Sequence, residues 1–323
     1  MRILVTGGMG LIGHNVVKKL LDRGHQVLIV DTMTNYGFIP KDEMNHLFAE
    51  RSKKITEQVP LIMLDIVDSG LGVHFTSFKP ELVMHLASFP RQKVVNANPQ
   101  LGAKTMCEGL LNLLELSVAH GVEKFMYVSS SMVYGDFNHS ISEDEPCNPQ
   151  GQYGIMKYMG EKLVKDYERK GHFKTLVIRP SAVYGPLDVE DRVISKFILT
   201  AMRGGTLNVN GEHERLDFTY VDDTAEGMVQ AVTSDITWGN TYNITKGADH
   251  TLLDAAKLAI KIVGKGDIRV RQKDADFPSR AGLDISRAVA DFGYDPKVNI
   301  ETGFQHYYEW FSEDEYWQER LKQ

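Results

Sequence analysis

Two hydrophobic periods alternate along the first 180 residues. Short apolar runs occur at RILVTG (2–7), QVLIVD (26–31), PLIMLDI (60–66), ELVMHLAS (81–88), KFMYVSS (124–130) and KTLVIRP (174–180). Between them lie segments such as HNVVKKLLDRG (14–24) and EGLLNLLELSVAHG (108–121), whose apolar positions recur at helical spacing. Runs that are apolar on both faces, separated by helix patterns, predict a parallel sheet covered on both sides. Parallel strands need crossovers, and the helical segments supply them.

Beyond residue 180 the rhythm loosens. DRVISKFILTAMRGG (191–205) predicts a helix stopped by glycines, and TLNVNG (206–211) a short strand and turn. VDDTAEGMVQAVT (221–233) predicts a helix with Asp222 or Asp223 placed to cap it. TLLDAAKLAIKIVG (251–264) and FQHYYEWFSEDEYWQERL (304–321) predict two more helices, the second with an aromatic stripe best explained by packing. No repeat, low-complexity tract or long linker intervenes. The expected division is therefore a larger α/β unit over 1–180 and a smaller mixed α/β lobe over 181–323, packed closely and with segments returning to the first unit.

The chain has 323 residues, enough for this arrangement. At 42% hydrophobic and 24% charged residues it has ordinary globular composition. The net charge of −7 gives no reason to expect nucleic acid or an anionic membrane as partner. Cys107 and Cys147 are too few for a disulfide framework and suit a reducing compartment. The apolar start is too short for a signal-peptide core, and no run of roughly 18 apolar residues occurs. A soluble, cytoplasmic protein is expected. The histidines show no metal-ligand spacing, and His85, inside an apolar run, reads as a core residue.

Candidate chemistry starts at VTGGMGLIG (5–13), where Gly7, Gly10 and Gly13 follow the first strand and open the first helix. Small residues there let the backbone approach a pyrophosphate at the helix N-terminus. Asp31 ends the second strand, placed to accept hydrogen bonds from ribose hydroxyls and to repel a 2′-phosphate. Thr32, Met33 and Thr34 follow it and offer no cation, so NAD is expected rather than NADP. The class becomes a Rossmann-type doubly wound parallel sheet with a smaller mixed α/β C-terminal substrate lobe. Asp65, at the end of the third strand, either begins a turn or, in that fold, reaches the adenine edge.

YVSSSMVYGD (127–136) ends the fifth strand with three serines, and Tyr153 and Lys157 follow one helical turn apart. The C-terminal edge of such a sheet is where ligands bind. A lysine ammonium beside the phenol is expected to lower its pKa, so that the phenolate takes a proton from a sugar hydroxyl as hydride leaves the same carbon.

At this point the chain resembles the extended short-chain dehydrogenase/reductases, in particular nucleotide-sugar epimerases and dehydratases. The likeness rests on TGGMGLIG, Asp31, LDI, HLAS, VSSSMVYG, YGIMK, IRPSAVYGP, DFTYVDD and LDISRA…FGYDP, and so covers nearly the whole chain. The resemblance implies Ser130, Tyr153 and Lys157 as the catalytic set, with Ser129 and Ser131 as neighbours. It implies NAD contacts at Gly7, Gly10, Leu11, Ile12, Gly13, Asp31, Asp65, Ile66, Ala87 and Ser88, besides Tyr153 and Lys157. Similar dehydratases carry Asp-Glu after the catalytic residue, and nucleotide-glucuronate decarboxylases keep the Glu. Ser131 and Met132 stand there in this chain, and a thioether has no proton to give.

The likeness is incomplete where substrate is placed. Met106 and Leu110 replace an Asn and a Thr, Ala182 an Asn, and Leu216 an arginine that often grips the diphosphate, with Arg215 beside it. Arg280 matches a diphosphate-binding arginine of relatives. Arg192 and Lys196 are placed to face the nucleotide or to form a solvated helix face, and Arg91 and Lys93 lie on a loop able to cover the site. The reading these residues imply is an NAD-dependent epimerase acting at C4 of a UDP-hexose or UDP-hexuronate, with homodimerisation through helices that include 101–120 and 152–168. A nucleotide-sugar 4-ketoreductase or 4-dehydrogenase, or a catalytically silent NAD-binding protein, are the alternatives.

Overall fold

Each of the six early apolar runs forms a strand of one sheet. The computed structural model describes residues 1–55, 59–89, 91–275 and 277–322. Strands β1 (Arg2–Thr6), β2 (Gln26–Val30), β3 (Leu61–Ile62), β4 (Leu82–His85), β5 (Lys124–Val128) and β6 (Lys174–Arg179) are all parallel. The crossovers are α1 (Leu11–Asp22), α2 (Lys41–Lys54), α3 (Leu71–Phe78), the short α4 (Gln92–Ala97) and α5 (Pro99–Ala103), α6 (Gly109–Ala119) and α7 (Gly151–Arg169). In the second half come α8 (Val193–Met202), β7 (Thr206–Asn210), β8 (Arg215–Leu216), α9 (Val221–Thr233) and β9 (Thr241–Asn243). They are followed by β10 (His250–Thr251), α10 (Leu252–Val263), β11 (Asp267–Arg271), α11 (Ser286–Phe292), α12 (Ile300–Glu313) and α13 (Glu315–Lys322).

The main sheet has the order β3-β2-β1-β4-β5-β6-β9. Winding outward from β1 in both directions opens a crevice beyond the carboxyl ends of β1 and β4. Strand residues alternate between two apolar layers. Ile3, Val5, Met84, Met126 and Ile178 pack against Val16, Val17 and Leu20 of α1 and Met228 and Val232 of α9. Leu4, Val83, Phe125 and Val177 pack on the other side against Phe75 of α3, Leu113 of α6 and Val164 of α7. Each such buried side chain contributes roughly 1.5–3 kcal/mol. The second lobe has its own core, where Phe304, Tyr307 and Phe311 of α12 are fully buried against α8 and α10, so the aromatic stripe is packing.

Three expectations are corrected. The third strand is two residues long rather than 60–66, because Asp65 and Asp68 accept the amides of Val67 and Gly70 and draw the chain into turns. Neither Asp222 nor Asp223 caps α9: Asp223 accepts the amides of Lys297 and Val298 at 2.9 and 2.8 Å, and Asp222 pairs with Lys19 at 2.8 Å. The last helix is two helices, broken at Asp314, whose carboxylate takes His46 at 2.9 Å and the amide of Trp317 at 3.2 Å. Among the described residues no helix is long and apolar enough to cross a membrane.

Glu161 of α7 and Arg179 of β6 form a buried bidentate pair at 2.9 and 2.7 Å. Removing one member strands a charge in the interior. Glu161→Ala is expected to lower unfolding free energy by about 3–5 kcal/mol in urea titrations, and a loss typical of a surface pair would contradict this assignment.

Candidate active site

The turn after β1 is shaped by contacts that no side chain could share. Gly7 has φ +72°, and a Cβ on it would lie 2.6 Å from the amide nitrogen of Ala87 at the end of β4. A Cβ on Gly13 would lie 2.1 Å from the Gly7 carbonyl. Helix α1 opens at Gly10 with no side-chain cap, leaving its first-turn amides to an external acceptor. Asp31, at the end of β2, accepts the amides of Met9 and Met33 at 2.9 and 2.8 Å. Burial raises its pKa, and these hydrogen bonds oppose the rise. Bare amides, tight glycines and a fixed carboxylate 18 residues on fit a dinucleotide.

The serines at the end of β5 separate by partner. Ser130 bears on the Tyr153 phenol, lowering its pKa, and accepts the amide of Met132 at 3.2 Å. Ser131 donates to Ser181 at 3.1 Å and accepts Nη1 of Arg280 at 3.1 Å. Ser129 is buried, and its hydroxyl makes no hydrogen bond among the described residues. Ser130 is therefore the serine brought to the tyrosine.

Lys157 is buried behind Tyr153 and donates to the carbonyl of Val128 at 2.8 Å. Burial pushes its pKa down to about 7, with Glu161 opposing. The expected lowering of the Tyr153 pKa by this ammonium is not what the geometry gives. Nζ lies 5.9 Å from the centre of the Tyr153 ring. Burial raises the phenol's pKa, opposed by Arg192, the Ser130 hydroxyl and Arg280. The cations that bear on the phenol belong to the second lobe. His85 is a core residue, bonded to Thr6 at 2.8 Å and held neutral by burial.

A single cavity of about 730 Å³ joins these parts. Gly7, Gly10, Leu11, Ile12, Gly13 and Asp31 line one end. Asp65, Ile66, Ala87 and Ser88 also line it, as do Ser130, Tyr153 and Lys157. Arg91, Arg192, Arg215 and Arg280 reach it from loops and from β8, whereas Lys196 is not on its wall. Arg91, with φ +61°, is bonded to Asp191 at 2.5 Å, and Arg192 lies 3.8 Å from Asp188. Arg215 is half-exposed and held by Asp249 at 2.8 and 2.6 Å.

Two features had no sequence signal. Arg51, in the polar pattern of α2, is buried in the cavity wall and donates to the carbonyls of Met9 and Leu187 at 3.0 and 2.7 Å. It ties the glycine turn to the second lobe. Tyr36 and Phe38, between β2 and α2, also line the cavity, and Tyr36 packs edge-on against Phe89. Aromatic residues in a loop carry no periodicity to betray them.

Residues 3–245 match the family described as the NAD dependent epimerase/dehydratase family. An uncharacterized UDP-glucose epimerase, YtcB, of Bacillus subtilis (strain 168) is 29% identical over 94% of this chain and 95% of its own. UDP-glucuronic acid decarboxylase 1 of Xenopus tropicalis is 30% identical over 95% of this chain and 72% of its own. The crystal structure of UDP-glucuronic acid 4-epimerase from Bacillus cereus, in complex with UDP-glucuronic acid and NAD, superposes with a TM-score of 0.88 at 27% identity. It covers 96% of this chain and 98% of that one.

Lys157 has a pH signature. Its proton is held up to an ordinary value of 10.5 in the unfolded chain but only to about 7 in the folded one. Between those values the unfolded chain binds more protons, so this residue's penalty is full below pH 7 and fades as pH rises. In urea titrations of NAD-free protein, the stability of Lys157→Met minus that of the parent should be most positive below pH 7 and should decline towards pH 10. A difference that does not change with pH would contradict a buried, depressed lysine.

Proposed function

The chain belongs to the NAD dependent epimerase/dehydratase family, and within it we propose that it is a nucleotide-sugar 4-epimerase acting on a UDP-hexose or UDP-hexuronate. The observation that carries this reading is the Ser130 hydroxyl brought to the Tyr153 phenol, whose pKa it lowers, at the carboxyl edge of the sheet, with Lys157 buried behind it. NAD, the family's cofactor, would be held by the glycine turn and Asp31 and would supply reversible hydride acceptance at the sugar carbon. Tyr153 takes the proton from the C4 hydroxyl and later returns it, and Ser130 fixes that oxygen's position. Lys157 stays behind the phenol, held by the carbonyl of Val128. Epimerisation needs the intermediate 4-keto sugar to present its other face, and needs no further acid or base.

The neighbouring position supports epimerisation over elimination or decarboxylation. Met132 lines the cavity, is buried, and has no proton to exchange. The reaction is therefore read as ending where it began, with the cofactor restored.

Incubated with UDP-glucose, UDP-galactose or the matching hexuronates and no added cofactor, the protein is expected to interconvert one C4 pair, followed by NMR of the anomeric protons. Stoichiometric consumption of added NAD or NADH would instead assign a 4-dehydrogenase or 4-ketoreductase. Tyr153→Phe should lower turnover roughly 10²–10⁴-fold while NAD remains bound. Full turnover in that variant would refute the acid–base role.

The homodimer is proposed to form through α6 and α7, where Leu111 and Ile155 are 40% and 53% exposed. Apolar side chains so placed suit a helix–helix contact. A Leu111→Glu/Ile155→Glu double variant should sediment as a monomer where the parent sediments as a dimer, and a parent already monomeric would refute the interface.

A further inference from the structure

One side chain hydrogen-bonds the glycine turn to the second lobe. Among the described residues, none of 7–13 bonds directly to a residue beyond 180, and Arg51 of α2 makes the connection in two steps. Its Nη1 donates to the carbonyl of Met9 at 3.0 Å and its Nη2 to the carbonyl of Leu187 at 2.7 Å. The guanidinium is buried and lies 5.7 Å from the centre of the Phe48 ring. Burial lowers its pKa to about 10, opposed by the charges of Asp188 and Asp31, so it stays protonated at neutral pH. Charged donors make the stronger hydrogen bonds, and a buried cation that loses an acceptor is left under-satisfied.

Both ends of this bridge are sensitive. At the near end Met9 is gripped twice, its amide by Asp31 at 2.9 Å and its carbonyl by Arg51. The peptide unit of that carbonyl also carries the Gly10 N–H, which donates to the Gly7 carbonyl at 3.1 Å. A cation on the Met9 carbonyl polarises this peptide and strengthens the bond that closes the turn. At the far end Leu187 has φ +68°, a conformation that a leucine keeps only where its surroundings hold it. What holds it is α2: the Leu187 side chain is buried against Met44 and Leu47. Met44, Leu47 and Arg51 recur at i, i+3 and i+7, so one face of the helix carries both the dock and the bridge.

We propose that Arg51 is a positioning residue that couples NAD retention to docking of the second lobe. The docked lobe holds Leu187 on α2, Leu187 holds Arg51, and Arg51 holds the turn and the Met9 amide on Asp31 in the form that receives a dinucleotide. When the lobe lifts, Arg51 loses the shorter of its two bonds, the turn relaxes, and the cofactor leaves more easily. By reciprocity, a bound dinucleotide holds the lobe down. The coupling requires only that NAD binds at the glycine turn, not that a sugar is epimerised at C4.

Hydrogen exchange and NAD release test the two halves, with NAD as the only ligand. In the parent, NAD should slow amide exchange at 7–13 and also in the second-lobe segment 185–190. In Arg51→Met it should still protect 7–13 but no longer 185–190, and labelled NAD should leave about tenfold or more faster into excess unlabelled NAD. Arg51→Lys, which keeps the charge and a donor, should recover part of both effects. Leu187→Gly suits the backbone and keeps the carbonyl but removes the docking side chain. It should quicken NAD release about threefold or more, although Leu187 is not on the cavity wall. Protection of 185–190 that persists in Arg51→Met would show that Arg51 only supports the turn, and overturns the coupling. Unchanged release from Leu187→Gly overturns it too, as does a parent in which NAD leaves 185–190 unprotected, a result that needs no variant to fold. None of these readouts involves turnover, so failure of the epimerase reading leaves them unchanged.

Discussion

One face of α7 governs the site. Tyr153, Lys157, Glu161 and Val164 recur along it at helical spacing and run from the cavity into the core. A helix covering a sheet ordinarily turns hydrocarbon inward, yet two of these residues are ionisable and buried. The sheet compensates each in turn. Lys157 is held by the carbonyl of Val128 at the end of β5, and Glu161 by Arg179 of β6. Arg179 also donates to the hydroxyl of Tyr134, which donates to Asn243 of β9 at 2.8 Å. The helix that carries the reactive phenol is thus anchored by a polar chain from Glu161 through Arg179 and Tyr134 to Asn243, besides the bond of Lys157 to β5. Such a chain fixes position more than it adds stability, because buried ions repay little beyond their desolvation.

The two lobes meet over the cavity through contacts of the same kind. Arg51 leaves α2 to bind the carbonyls of Met9, in the glycine turn, and Leu187, in the second lobe. The far side of α2 reaches the C-terminal helices, where His46 meets Asp314, Asp42 accepts the Tyr316 hydroxyl at 2.8 Å, and Glu43 faces Arg320 at 3.4 Å. Burial and the nearby Glu190 raise Glu43 to a pKa of about 7, against the amide of Glu190 and Arg320. One helix therefore reports to the dinucleotide turn on one side and to the second lobe on the other.

Much of this was legible in the sequence, and the reason is that it is local. The glycine spacing, Asp31 and the Tyr153–Lys157 turn depend on strand and helix periods, which a single chain displays. The elements of 221–233 and 251–264 were readable for the same reason. What escaped depends on tertiary partners. Asp223 looks like a cap until Lys297 and Val298 claim its oxygens. Arg51 looks like any arginine on a polar helix until burial singles it out. Choosing Ser130 among three serines required seeing which hydroxyl meets the tyrosine. Arg280 could be placed near substrate by motif, but its hydrogen bond to Ser131 is seen only in the fold.

The source of the phenol's acidity follows from these distances. With Lys157 committed to Val128, the groups opposing the burial-raised pKa of Tyr153 are Arg192, Ser130 and Arg280. Both arginines belong to the second lobe, and both are suited to anions. An anionic substrate that pairs with them withdraws their charge from the phenol and raises its pKa further, favouring the protonated form that returns a proton to the sugar oxygen. Substrate charge and proton abstraction are coupled through two side chains, and the coupling exists because α7 holds the phenol while the second lobe holds the arginines.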